Sequence, residues 1–209
     1  MLPRILALAF FVGVAVGSPI ANQYVDSVLH TALPRELNYA RLNPVLIPGF
    51  ETRFEDKIPI IGKVKGEASY SRGNLTGLAQ VRRYSECNGP YYKFGSKIIN
   101  CTLGFDRLDL TYEGTLKYGK LPKVDIKGSS NLTGTVVFIE VANGRLNNFL
   151  ITRIAGLDVT FTGLGPLNKY TKFLKPDYIA NAQRAVNWYI TQPFNNALNA
   201  AFSTVPMPN

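Results

Sequence analysis

The middle of the chain alternates between apolar and polar residues with a period of two, and this alternation constrains the fold most. In its strongest stretch the apolar side chains are even-numbered: Leu108, Leu110, Tyr112, Leu116 and Tyr118. Just upstream they are odd-numbered: Ile99, Cys101, Leu103 and Phe105. Because successive side chains of a strand point to opposite faces, this change of parity requires a bulge or bend between Gly104 and Arg107. The pattern predicts a long, curved strand with one buried face.

The same period extends over residues 60–161 and predicts an antiparallel sheet. Asn143-Gly144 lies between two apolar runs, which is a strong signal for a tight hairpin turn. Ser71-Arg72-Gly73-Asn74 predicts another turn, after which a second strand would run from Leu75 to Tyr84. The sheet should therefore be long-stranded and built from consecutive hairpins.

Helical periodicity flanks the sheet on both sides. A short N-terminal helix is predicted by Tyr24, Val25, Val28, Leu29 and Leu33, with an end or kink at Pro34. From Asp177 to Phe202 a wide apolar stripe predicts a long helix, which starts after Pro176 and is kinked at Pro193. That stripe must be buried, and the sheet is the only large partner. The predicted class is α+β: a long, strongly curved antiparallel sheet wrapped around a long C-terminal amphipathic helix, with a short N-terminal helix.

The first 17 residues have the layout of a secretory signal peptide. Arg4 supplies a basic start, the run from Ile5 to Val16 is apolar, and Ala15 and Gly17 are small residues at the positions that a signal peptidase requires. A membrane anchor is the alternative, but about 12 apolar residues are too few to cross a bilayer. We expect a leader over residues 1–17 and one secreted domain over residues 18–209.

Glycosylation and disulfide signals agree with export. Three triplets are N-glycosylation acceptors, at Asn74, Asn100 and Asn131. Cys87 and Cys101 are the two cysteines of the chain, and an oxidising compartment favours a bond between them over two free thiols. A metal site is weaker still, because no histidine lies near enough to complete a tetrahedral shell.

The chain is basic, with a net charge of +9 that would fall to +8 if Arg4 left with the leader. One lysine cluster is a candidate anion-binding patch: Lys117, Lys120, Lys123 and Lys127. A second cluster consists of Lys169, Lys172 and Lys175. An ordinary solvated surface explains such clusters at least as well as a binding site.

Few residues point to catalysis. His30 is the one histidine, and no G-x-S-x-G elbow supplies it with a nucleophile. Carboxylates such as Asp109 and Glu140 alternate with apolar residues, as positions on the solvent side of a strand do. No phosphate loop or nucleic-acid motif is present. We therefore predict no catalytic residue, no metal, no cofactor and no nucleic-acid partner.

A curved sheet wrapped around a helix leaves room for an elongated apolar cavity between them. The residues proposed to line such a cavity are aromatic or aliphatic: Tyr112, Phe138, Leu150, Phe161, Trp188, Tyr189, Phe194 and Leu198. For each residue alone, ordinary core packing is the more common explanation. As a set, they favour an apolar ligand.

The order of these elements resembles the group 7 mite allergens and, more distantly, the lipid-binding superfamily of bactericidal/permeability-increasing protein, takeout and juvenile hormone-binding proteins. The resemblance rests on Asn43-Pro-Val-Leu-Ile-Pro48, the spaced glycines Gly62 and Gly66, and Asn74-Leu-Thr-Gly-Leu78. Asn43 stands where the family more often has Asp. The resemblance implies a bent sheet around the C-terminal helix and binding of lipids or other elongated apolar molecules without catalysis.

Two functions from different classes follow from these expectations. The first is a secreted binding protein for lipids or other elongated hydrophobic ligands. The alternative is a secreted interaction protein that acts through its basic surface on acidic glycans, anionic membranes or a host protein. The run from Val136 to Ile139 is apolar on both faces, which indicates burial on both sides or a dimer edge, so we expect a monomer or weak dimer.

Overall fold

A computed structural model describes residues 17–59 and 62–209, so the predicted leader lies outside the described residues except for Gly17. Two helices come first, α1 (Pro19–Ser27) and α2 (Leu33–Tyr39), joined by a π-helical turn at Val28–Ala32. Eight strands follow: β1 (Val45–Ile47), β2 (Phe50–Ile58), β3 (Gly62–Thr76), β4 (Val81–Arg83), β5 (Asn88–Lys93), β6 (Ser96–Tyr118), β7 (Val124–Ala142) and β8 (Arg145–Thr162). The chain then forms α3 (Thr171–Tyr189), a π-helical turn at Ile190–Phe194, and α4 (Asn195–Thr204).

The strands form one antiparallel sheet in which β6 and β7 are central. β3 pairs with the second half of β6, whereas β4 and β5 pair with its first half. β1 and β2 follow one another along the outer edge of β3. The predicted class is confirmed: a large antiparallel sheet with a short N-terminal helical segment and a long C-terminal one.

The predicted change of parity is confirmed in β6. Phe105 and Leu108 are both buried, while the two residues between them are exposed. β7 changes parity beside this point of β6, because Leu132 and Val137 are both in the core. Since both strands change parity together, β6 and β7 stay in register. The irregularity appears instead in the pairing of β7 with β8. The sheet therefore bends across both central strands at once.

The turns were predicted with mixed success. Asn143 and Gly144 form the β7–β8 turn with positive φ angles, as expected. The turn predicted at Ser71–Asn74 is wrong, because β3 runs through these residues as one strand with a bulge between Tyr70 and Gly73. The lack of a side chain at Gly73 lets the ring of Tyr112 lie against the backbone there, so this sequence bends the strand without reversing it.

The helices bury their stripes against the sheet. On the C-terminal helices the buried residues recur about every four positions: Leu174, Tyr178, Ala182, Val186, Ile190, Phe194, Leu198 and Phe202. The helix begins at Thr171, so Pro176 lies inside it and not ahead of it, and its missing N–H removes one hydrogen bond from the helix. The irregularity expected at Pro193 is a π-helical turn.

The N-terminal helical segment packs against the C-terminal one. Pro34 does not end this segment, because it lies at the start of α2, where its missing N–H is tolerated. The Tyr24 ring lies 5.8 Å from that of Phe202, and the Tyr24 hydroxyl donates a hydrogen bond of 3.4 Å to the Phe202 carbonyl. The predicted disulfide between Cys87 and Cys101 is present at the base of the β5–β6 hairpin.

Candidate functional site

An open cleft of about 360 Å³ lies between α3 and the segment that joins β1 to β2. We call it the aromatic cleft. It is lined by Ile47, Pro48, Gly49, Phe50, Tyr112, Asn181, Arg184, Ala185, Trp188 and Tyr189. Apart from Asn181 and Arg184 these side chains are apolar or aromatic, which is typical of sites for small hydrophobic molecules.

A close backbone approach to β3 and a hydrogen bond from α3 fix the position of the segment that joins β1 to β2. Gly49 lies so close to the backbone of Tyr70 and Ser71 that a Cβ atom at this position would overlap the Tyr70 carbonyl oxygen. From the other side, the Tyr189 hydroxyl donates a hydrogen bond of 2.9 Å to the Leu46 carbonyl. The walls of the cleft are therefore fixed to each other at its edge.

Beneath the cleft lies a cluster of aromatic rings that joins the sheet to α3. Phe50 stacks on Tyr70 at 4.5 Å between ring centroids and meets Tyr112 edge to face at 5.1 Å. Tyr178 of α3 lies within 5.2–6.0 Å of the other rings, including that of Phe161. Edge-to-face contacts at these distances are favourable, so the cluster forms a firm floor.

The floor contains buried tyrosine hydroxyls in the neutral state. Burial raises the pKa of Tyr70 and of Tyr178 above the usual value, and raises that of Tyr112 to about 12. The Tyr70 hydroxyl is buried and has no hydrogen-bond partner among the described residues. Neutral hydroxyls can donate to or accept from a polar group, but they supply no base or nucleophile near neutral pH.

The rim of the cleft is partly polar. Arg184 donates a hydrogen bond of 3.1 Å to the side chain of Asn181. Trp188 is 53% exposed and meets Tyr189 edge to face at 4.6 Å. The rim therefore offers one cation and one exposed indole beside the apolar walls.

The eight residues predicted to contact a ligand lie in three places. Tyr112, Trp188 and Tyr189 line the aromatic cleft, and Phe161 belongs to the ring cluster beneath it. Phe194 and Leu198 are fully buried farther along the helical segment, where Phe194 packs edge to face on Phe105 at 5.1 Å.

Phe138 and Leu150 differ from the expectation in their placement. They pair across β7 and β8 and lie on the sheet face opposite the helices, so neither lies between sheet and helix. The reason is the change of parity in β7, which turns Val137 and Ile139 to the core and Phe138 outward. Leu150 is accordingly 55% exposed.

Sequence reasoning missed one wall of the cleft. Ile47, Pro48, Gly49 and Phe50 come from a segment that was recognised only as extended, and Arg184 was not considered. The available signal was the Ile-Pro-Gly-Phe run itself, because two apolar residues flanking a Pro-Gly pair place a stiff apolar corner at one end of a strand.

A larger groove, of about 690 Å³, lies near the β6–β7 turn and differs in character. It is lined by Arg53, Phe54, Glu55, Lys65, Gly66, Glu67, Lys117 and Gly119. Arg53 and Glu67 form an ion pair of 3.0 Å within it. Most of its side chains are charged, so an apolar ligand would have to displace water from ions, and we do not assign the ligand site here.

The four lysines of the predicted patch are all exposed: Lys117, Lys120, Lys123 and Lys127. The second cluster lies near them, because Tyr118 contacts Tyr170 at 4.2 Å between centroids and thereby brings the start of α3 to the end of β6. Lys65 joins the same end, since its carbonyl accepts a hydrogen bond from Gly119. We call this end of the molecule the lysine pole.

The remaining candidates are placed as follows. His30 is exposed, with its Nδ1 atom 2.8 Å from the Asp26 carbonyl oxygen. Asn74 is exposed, Asn131 is half-buried in a polar groove on the outer face, and the Asn100 amide donates to the Tyr91 hydroxyl at 2.8 Å.

Over residues 17–59 and 62–209 no three His, Cys, Asp or Glu side chains lie together as metal ligands. In the same ranges no helix has the length and apolar run needed to cross a bilayer.

Comparison with known proteins gives three similarities. The family model described as Group 7 allergen matches residues 20–179. A salivary anticoagulant protein, P23, from Ixodes scapularis is 24% identical over 217 residues, which cover 98% of this chain and 96% of that protein. A crystal structure of lipopolysaccharide binding protein superposes with a TM-score of 0.42 at 14% identity over 88% of this chain, which spans 37% of the length of that protein.

Proposed function

Because this chain belongs to the group 7 allergen family, we propose that it is a secreted, non-enzymatic binding protein for lipids or other elongated hydrophobic ligands. The functional unit is one domain over residues 18–209, released from a leader over residues 1–17, and it acts as a monomer or weak dimer. The aromatic cleft is the observation that carries this proposal.

The size and lining of the cleft narrow the class of ligand. Its volume of about 360 Å³ lies at the lower end of the range of roughly 300–1,000 Å³ for small-molecule sites. A single apolar chain or ring system therefore suits it better than a bulky lipid with several chains. The cation of Arg184 at the rim and the neutral hydroxyl of Tyr112 on the floor would accept a ligand with one polar end.

Native mass spectrometry tests the proposal directly. Protein secreted from eukaryotic cells is sprayed under gentle conditions and then extracted under denaturing conditions. A bound mass of a few hundred daltons that is lost on denaturation supports the proposal and identifies the class of ligand. A ligand-free mass, together with no uptake of fluorescent fatty acids, would refute it.

A pair of matched variants then tests whether the ligand occupies the aromatic cleft. Ala185→Phe adds a large side chain to a residue that lines the cleft, whereas Gln183→Phe adds the same side chain to an exposed position of the same helix outside the lining. Trp188 is the one tryptophan of the chain and lies in the cleft, so its emission reports ligand binding. Ala185→Phe should weaken binding about tenfold or more through lost volume, and Gln183→Phe should leave it unchanged. Equal affinities would place the ligand elsewhere.

A second candidate function is favoured by the lysine pole. There the end of β6 and the start of α3 meet, so the sequence clusters at Lys117–Lys127 and Lys169–Lys175 form one basic surface. This surface would bind acidic glycans, anionic membranes or a host protein. The relative named as a salivary anticoagulant makes clotting time a useful readout. Replacing Lys117, Lys120, Lys123 and Lys127 with Gln should abolish salt-sensitive binding to heparin, and unchanged affinity would end this candidate.

A further inference from the structure

Three aromatic side chains that are close together in the sequence are exposed at the tip of the β5–β6 hairpin. Phe94 is 96% exposed, Tyr92 is 75% exposed and Tyr91 is 38% exposed. They lie at the end of the molecule opposite the lysine pole, since Lys97 and Lys117 mark the two ends of the 23-residue strand β6. Scattered exposed apolar residues are common, but a cluster of large aromatics at one protruding tip is not.

The backbone conformation of the turn does not favour a phenylalanine at position 94. Phe94 and Gly95 adopt φ angles of +49° and +76°, and the neighbouring β7–β8 turn places Asn143 and Gly144 at nearly the same values, +49° and +78°. Asn-Gly is the usual choice for this conformation, whereas a bulky residue in the left-handed region is strained. The β7–β8 turn therefore has the preferred Asn-Gly pair, whereas the β5–β6 turn has an aromatic residue that lowers the stability of the turn.

The surroundings of the tip are basic. The Nζ atoms of Lys93 and Lys97 each lie 5.8 Å from a ring centroid, those of Phe94 and Tyr92 respectively. The adjacent turn adds Arg145, and its Asn143 exchanges hydrogen bonds with the backbone of Lys97. No acidic residue occurs in residues 88–105 or 141–157, which form these two hairpin ends.

The base of the hairpin is fixed. The Cys87–Cys101 disulfide closes it, and beyond the base β6 continues into the centre of the sheet. A tip held in this way needs little ordering when it binds a partner, which lowers the entropic cost of association.

We propose that this tip docks onto a lipid surface with anionic headgroups. Aromatic side chains are favoured at the depth of the headgroups, and flanking lysines are attracted by the negative charge of the surface. A specific protein interface covers about 800 Å² on each partner, far more than three protruding side chains present, whereas a bilayer accepts the insertion of a few side chains. The proposal does not depend on the ligand site, because the tip is separate from the aromatic cleft.

The experiment measures co-sedimentation of the full secreted chain with two kinds of vesicles, pure phosphatidylcholine and mixed phosphatidylcholine–phosphatidylserine. The aromatic variant is Phe94→Asn with Ser96→Ala, in which Asn-Gly restores the preferred turn and loss of the serine prevents an N-glycosylation acceptor. Its control is Ser96→Ala alone. The basic variant is Lys93→Gln with Lys97→Gln, and its control is Arg35→Gln with Arg72→Gln, two exposed cations outside the tip and the lysine pole. A third variant, Lys120→Gln with Lys123→Gln, tests the lysine pole.

We expect binding to the mixed vesicles and much weaker binding to phosphatidylcholine. The aromatic variant should bind about tenfold more weakly, and the basic variant about fivefold more weakly for each lysine removed. Both controls should bind as the unaltered chain does. Absence of binding to mixed vesicles, or equal binding by the aromatic variant and its control, overturns the proposal. Loss of binding only in the lysine-pole variant also overturns the proposal, because the contact would then belong to the opposite end of the molecule.

An independent measurement protects against a variant that folds poorly. Phe94→Trp combined with Trp188→Phe places the one tryptophan of the chain at the tip. Its emission should shift to shorter wavelength when mixed vesicles are added, because the indole leaves water for the headgroup region. An unshifted emission while the protein co-sediments would show that the tip stays in water and would refute the docking geometry.

Discussion

Removing the Tyr70 hydroxyl should stabilise the protein, although most substitutions of buried residues destabilise. Tyr70 is 3% exposed, and its hydroxyl has no hydrogen-bond partner among the residues that the structure describes. A buried polar group without a partner costs about 1–3 kcal/mol relative to its hydration in the unfolded chain. Tyr70→Phe removes that cost and keeps the ring that stacks on Phe50.

The magnitude follows from two opposing contributions. The substitution recovers the desolvation cost, but it leaves a space of one oxygen atom and loses the packing contacts of that atom, which costs a fraction of 1 kcal/mol. We expect a net gain of about 1 kcal/mol in the free energy of unfolding. For a domain of this size that gain corresponds to a rise of roughly 2–4 °C in Tm.

The matched control is Tyr24→Phe, which has the opposite expected sign. The Tyr24 side chain is also buried, but its hydroxyl donates to the Phe202 carbonyl. Its removal should lower stability by about 1 kcal/mol. Urea unfolding of the ligand-free protein, followed by circular dichroism, measures both variants. A Tyr70→Phe protein that is less stable by as much as Tyr24→Phe would show that the Tyr70 hydroxyl has a partner in solution, and the reasoning would fail.

Three further predictions use other parts of the molecule. Cys87→Ser with Cys101→Ser opens a loop with a sequence separation of 14 and should lower the free energy of unfolding by about 3 kcal/mol. Urea titration measures this loss, and a loss below about 1 kcal/mol would contradict the loop-entropy argument. Burial raises the pKa of Tyr24 and of Tyr112 from 10.0 to about 12, so the unfolded chain loses these two protons at a lower pH than the folded protein does. The free energy of unfolding should therefore be constant below pH 10 and fall by ~2–3 kcal/mol per tyrosine as pH approaches 12. Tyr112→Phe should make that fall shallower in denaturant titrations at pH 8 and pH 11, and an unchanged slope would assign the effect to other groups. Asn74 should carry a glycan in the secreted protein, since its side chain is exposed, and peptide mapping after deglycosylation that finds Asn74 unmodified would refute this.

Local patterns predicted much of the sheet and the helices. The parity change between Gly104 and Arg107, the Asn143-Gly144 turn and the apolar stripe of the C-terminal helix are all properties of neighbouring residues, and the structure shows each of them. The turn expected at Ser71–Asn74 failed because a Gly-Asn pair in a bulge and in a turn have the same local signature. The difference is made by the ring of Tyr112, which is distant in sequence.

The candidate site was less predictable for the same physical reason. One wall of the aromatic cleft comes from Ile47–Phe50 and the other from α3, and no period in the sequence relates the two. Phe138 was placed on the wrong face because the run from Val136 to Ile139 is apolar at both parities, so either face could have been the buried one. The irregular pairing between β7 and β8 decides between them, and it depends on the bend of the whole sheet.

The contact between the first and last helices has a consequence for biosynthesis. Tyr24 and Phe202 are separated by 178 positions in the chain, yet they touch, and α3 and α4 cover much of the inner face of the sheet. A nascent chain therefore exposes much of that apolar face until its final segment is released. Folding must be largely post-translational and slow, since its decisive contacts are long-range. During this interval the uncovered apolar face is prone to aggregation.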